Sequence, residues 1–110
     1  MLIGSLRIPL FDHETAIQAF PAANAGGYAS LTVYQTGVGT ISAGTVLIEE
    51  APTADYTGTW SLLLTLDATD VTGGATQATA CPLGAYAYIR ARISVTVTGG
   101  GDMSVFLVGA

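Results

Sequence analysis

The sequence has no lysine and a single histidine, and Arg7, Arg90 and Arg92 are its only strong bases. Against eight acids they leave a net charge of −5. Nucleic-acid binding needs clustered cations that displace phosphate counterions, so this balance argues against it. One cysteine, Cys81, permits no internal disulfide, and stability must come from packing. Half of the 110 residues are hydrophobic, yet no apolar run approaches the ~20 residues of a membrane-crossing helix. No membrane partner is expected. Met1 to Leu10 (MLIGSLRIPL) lacks a basic start and a cleavage site, so no signal peptide is expected either.

Only 10% of the residues are charged. A free monomer normally keeps a more charged surface. Here threonine, serine, glycine and alanine take its place, which suits a chain packed into an assembly and also suits an extracellular β-domain. The length is enough for one domain, residues 1–110, with one core.

What the sequence does contain is period-two alternation. From Tyr86, the residues Tyr86, Tyr88, Arg90, Arg92, Ser94, Thr96 and Thr98 fall on one face of a strand. Ala87, Ile89, Ala91, Ile93, Val95 and Val97 fall on the other. Gly99 to Asp102 supplies a hairpin loop, and Met103, Val105 and Leu107 return as a second strand. Earlier segments repeat the pattern: 2–10, 15–20, 28–35, 45–51, 60–66 and 75–80, separated by Gly, Pro and Asp; residues 14–20 could also make two turns of helix before Pro21, but the β surroundings favour a strand. The predicted architecture is all-β, an antiparallel sandwich of about eight strands, jelly-roll-like. Its core is expected from Leu31, Val33, Val46, Ile48, Trp60, Leu62, Leu64, Ile89, Ile93, Val95 and Val105.

Catalytic chemistry finds little support. His13 lies in the turn Phe11–Glu14 beside two acids, but metal and triad sites need several converging partners. Glu49 and Glu50 are adjacent, so a strand points them to opposite faces, with one expected in solvent and the other near a strand end. Asp67 and Asp70 lack the spacing of an EF-hand and read as turn caps. Gly99-Gly100-Gly101 precedes a strand where a phosphate cradle would precede a helix. Cys81 has no neighbouring base and reads as a small apolar residue. No catalytic residue, metal or cofactor is expected.

Tyr86, Tyr88, Arg90 and Arg92 form the strongest candidate interface, because tyrosine and arginine are frequent interface anchors. Cross-strand pairing with an acid on a solvated face is the other reading. A second candidate is the apolar start, Leu2, Ile3, Leu6, Arg7 and Ile8. With Pro9 it is expected at a sheet edge or as an arm (within residues 1–14) held by a neighbouring subunit.

The segments IEEAPTADYTGTWSLLLTLDAT and GAYAYIRARISVTVTGGGDMSVFLVGA carry a resemblance. A strand ending in paired acids, a Pro/Asp/Gly loop, a strand opening at Trp60 and the run Gly84 to Arg92 before a Gly-rich turn resemble small virion structural proteins of tailed bacteriophages. The resemblance covers residues 28–110 and implies a head decoration (cement) protein. Such a protein clamps the major capsid protein, acts as a homo-oligomer (dimer or trimer), sits on the capsid exterior after assembly in the host cytoplasm and has no active site. The alternative is a tail or fibre module binding host-surface glycans through tyrosines such as Tyr28, Tyr34 and Tyr56.

Overall fold

Residues 6–110 are described by the structure, a computed structural model. Nine strands are seen among them: β1 (Leu6–Glu14), β2 (Gln18–Ala19), β3 (Ala23–Asn24), β4 (Leu31–Val38), β5 (Ala43–Ala51), β6 (Ser61–Asp67), β7 (Thr76–Cys81), β8 (Tyr88–Thr98) and β9 (Asp102–Gly109). They form two antiparallel sheets, ordered β1-β9-β4-β7 and β2-β8-β5-β6, with β3 also on β8.

β2 and β3 both pair with β8, Ala19 opposite Arg92 and Ala23 opposite Ile89, so they act as one strand broken at Pro21. Counted that way the pairs nest: first with last, second with second-last, and so inward to β5 with β6. A long hairpin rolled into two sheets gives this order, which is the jelly roll.

The strands form where alternation supplies one apolar face. In β4, Leu31, Val33, Gln35 and Gly37 turn inward and every second residue does not. In β9, Met103, Val105 and Leu107 are fully buried. Between the sheets these meet Val46, Ile48, Ile89, Ala91 and Ile93. The β8–β9 hairpin turns at Gly99 and Gly100, whose φ of 114° and 98° suits residues without a Cβ.

Bulges redirect several side chains. Val46 pairs with Ile93 but Thr45 pairs with Val95, so Ser94 is an extra residue and Val95 turns outward, 48% exposed. A second shift before Thr98 returns Val97 to the core. Ile48 pairs with Leu64 and Glu49 with Leu62, leaving Leu63 extra and Leu62 outward, 57% exposed. The expected inward positions of Leu62 and Val95 are therefore corrected. In β1 a bulge after Pro9 lets Leu10 and Phe11 both turn inward, and Phe11 stacks on Phe20 at 4.4 Å.

The expected polar turn Phe11–Glu14 is also corrected, because those residues continue β1 through a second bulge holding His13 at φ 53°. β1 is an edge strand, and Pro9 occupies it without breaking an interior ladder. The expected loop at 67–74 winds into a short 3₁₀ turn, Ala68–Gly74, whose Asp67 cap accepts from the Thr69 N–H at 2.9 Å. Hydrogen bonds from the Thr69 hydroxyl, at 2.7 Å, and from its N–H hold the Asp67 pKa below its ordinary value.

Candidate functional site

β5 carries two adjacent acids near its end, Glu49 and Glu50, and the structure buries both, against the expectation that one would face solvent. Glu49 lies on the outer face of the five-stranded sheet, directly across from Arg90 on β8 and Leu62 on β6. Its Oε1 accepts from Arg90 Nε at 3.2 Å and from Arg92 Nε at 3.1 Å, and its Oε2 accepts from Arg92 Nη2 at 3.2 Å. Two cations on one carboxylate leave the cluster net positive in a negatively charged chain. The hydrogen bond to Glu49 raises the Arg92 pKa further above its already high value.

Trp60 completes this cluster. It precedes β6 and faces outward, where the Arg90 guanidinium lies over its ring, Cζ 4.1 Å from the centroid. Its indole N–H donates to the Tyr56 carbonyl at 3.0 Å, and the Tyr56 ring meets it edge-on at 6.3 Å. Trp60 is buried, as expected, but under Tyr56 and Arg90 on the outer face and not in the inter-sheet core. The arrangement can present a rigid aromatic and cationic surface beside exposed Leu62 and Val95.

The sequence-predicted set divides. Arg90 and Arg92 lie in this cluster and Tyr88 shares their strand. Tyr86 does not, because β8 begins only at Tyr88. It belongs to the preceding loop and lines a cleft of about 250 Å³ with Tyr28, Leu31, Leu83 and Ile89. Leu2 and Ile3 lie outside the described residues. Leu6, Arg7 and Ile8 begin β1 in the other sheet, paired with Gly109, Val108 and Leu107. Ile8 packs on the core. Arg7 stacks on Phe106 at 3.7 Å, and Phe106 stacks on Tyr34 at 5.2 Å. The arginines therefore occupy opposite outer faces of the sandwich.

Glu50 points to the other side of β5. Its Oε1 accepts from the Ala85 N–H at 3.1 Å, and its buried Oε2 has no partner among the described residues. A Cβ on Gly84 would fall within the Glu50 carboxylate, so any larger residue there would push the acid out of its present position. Nearby Cys81 is pushed up to about 11 by burial, with the Glu50 charge adding to it. A thiol so held is a poor nucleophile. At the far end, His13 Nδ1 lies 2.8 Å from Asp102, which raises the His13 pKa, and Asp12 adds to the effect. Among the described residues, no three His, Cys, Asp or Glu side chains converge as a metal site requires.

Sequence reasoning missed Glu49 as the anchor of both arginines and Trp60 as their neighbour. The signal was there in part: antiparallel pairing of a strand ending in two acids with a strand carrying Arg-x-Arg brings the charges together. No protein-family model, curated protein or solved structure matches this chain.

Proposed function

We propose that this chain is a structural virion protein of a tailed bacteriophage, a head decoration protein that bridges neighbouring major capsid subunits. The observation that carries the reading is the outer face of the five-stranded sheet. Trp60, Tyr56, Arg90 and Arg92 form one ordered cluster there, flanked by exposed Leu62 and Val95. Aromatic residues and arginine dominate binding energy at protein interfaces. Glu49 holds both arginines in place before any partner arrives, which lowers the ordering cost of association. The scarcity of charge elsewhere fits a surface that is covered in an assembly.

The mechanism is physical. The patch lies across a junction between capsid subunits, buries apolar surface and adds charge-assisted hydrogen bonds. The expanded, DNA-filled shell then resists rupture. A homo-oligomer engages several junctions at once and multiplies a modest single-site affinity. The protein assembles in the host cytoplasm and resides on the capsid exterior.

A tail or fibre module that binds glycans has one supporting feature, the half-exposed Tyr34–Phe106 stack. Arg7 lies over Phe106 and competes with a sugar for that ring. The test is co-sedimentation of wild-type and Leu62→Asp protein with purified heads that lack the decoration layer. Wild-type binding at saturating stoichiometry, lost in the variant, supports the reading. Binding to host envelope polysaccharide with none to heads overturns it.

A further inference from the structure

The two sheets end in four edges, and three of them are blunted against pairing with another chain. β1 carries Pro9, two bulges and the charges of Arg7, Asp12 and Glu14. The edge opposite β6 is broken into the two-residue pieces β2 and β3. β6 is bulged at Leu63 and closes on Asp67. β7 differs. Thr76-Gln77-Ala78-Thr79-Ala80-Cys81 has no charge and no proline, and it runs in unbroken register along β4 from Thr36 to Leu31. Its outer rim of backbone N–H and C=O groups has no strand beside it among the described residues. Such an edge is a template for strand addition.

We propose that β7 is the self-association edge of this protein, pairing antiparallel with β7 of a second copy to join two four-stranded sheets into one of eight. The proposal deepens the homo-oligomer in the reading above and rests on it. The occupant follows from charge. A two-fold axis sets each residue against itself or a near neighbour, so any charge would meet its own kind. Of the four edges only β7 and the β2–β3 edge hold none, and of these two only β7 is a continuous strand. With the axis at Ala78, Thr76 faces Ala80 of the second copy and Gln77 faces Thr79 of the second copy. These small side chains let the backbones close to strand spacing. Gln77 Oε1 already accepts from Gln35 Nε2 at 2.7 Å, which leaves the Gln77 amide N–H₂ to donate to the threonine hydroxyl across the axis.

The experiment is sedimentation equilibrium of the full chain and of the double variant Ala78→Lys/Ala80→Lys, both sites being exposed. The wild type is expected at twice the 11.2 kDa chain mass and the variant at a single chain mass, with unchanged circular dichroism. In a Cys81→Ala background, Ala78→Cys is expected to form a disulfide-linked dimer on mild oxidation, whereas Thr65→Cys on β6 is not. A wild type monomeric at every concentration, a lysine variant that keeps the dimer mass, or cross-linking through position 65 and not 78 overturns the proposal. Head binding by the wild type tests the decoration reading separately, so a lysine variant that stays dimeric sinks only the β7 edge.

Discussion

Arg90 lies over Trp60, its guanidinium carbon 4.1 Å from the ring centroid, while its Nε donates to buried Glu49. One arginine thus covers the single tryptophan of the chain and neutralises a carboxylate beneath it. Both functions make the outer face a fixed surface and not a set of mobile side chains.

Removing the carboxylate leaves two half-buried guanidinium groups without their acceptor. Glu49→Ala is expected to cost about 1.5–3 kcal/mol, discounted because Arg92 keeps access to water. Glu49→Gln should cost less. Urea unfolding measures both. Arg90→Ala should shift Trp60 fluorescence to the red, since it exposes the ring, and an unchanged spectrum would show that the stack is absent.

The bulges make a sharper prediction, because they reverse residues that alternation alone would bury. Leu62→Ser and Val95→Thr should each change stability by no more than about 0.5 kcal/mol, as exposed positions do. Ile48→Ala, between the sheets, should cost about 2–5 kcal/mol. Losses at Leu62 or Val95 as large as that at Ile48 would place them in the core.

Much of this fold was legible in the sequence because alternation is a local signal. Ile89, Ala91 and Ile93 against Arg90 and Arg92 could be read directly, as could the Gly99–Gly100 turn. The nested strand order follows once those strands exist, since a rolled hairpin joins them without crossings. What could not be read were the extra residues. Ser94 and Leu63 look like ordinary members of their runs, and only the partner strand reveals that each is surplus. The site failed for a related reason. Tyr86 continues the spacing of Tyr88, Arg90 and Arg92, but β8 begins only at Tyr88, and the loop before it is hydrogen-bonded to Glu50 through the Ala85 N–H. Glu49 looked like a surface acid because its partners lie some 40 residues away in sequence.

His13 and Asp102 give stability a pH dependence of defined sign. The hydrogen bond to Asp102, aided by the Asp12 charge, raises the folded pKa of His13 above 6.5. This contribution is complete below the unfolded value and disappears as pH rises through the folded one. The thermal midpoint should therefore decline from about pH 6.5 upward as His13 loses its proton. Asp102→Asn should flatten that slope and return the His13 imidazole titration, followed by NMR, toward its ordinary value. An unaltered titration in the variant would show that the contact does not form.

Cys81 should behave as an inert core thiol. With its pKa pushed up to about 11 and its side chain buried, iodoacetamide at mildly alkaline pH should leave it unmodified in the native protein and alkylate it fully in urea. Rapid modification of the native state, read by mass spectrometry, would mean that the Pro82–Ala87 loop opens away from Glu50.

The proposed role on a virion is tested most directly by electron cryomicroscopy of heads assembled with and without this protein. The account predicts additional density on the outer surface at junctions between major capsid subunits, into which the sandwich fits with the Trp60–Arg90–Arg92 face against the shell. Heads without it should rupture at lower temperature. Identical head maps, or density confined to the tail, would contradict the account.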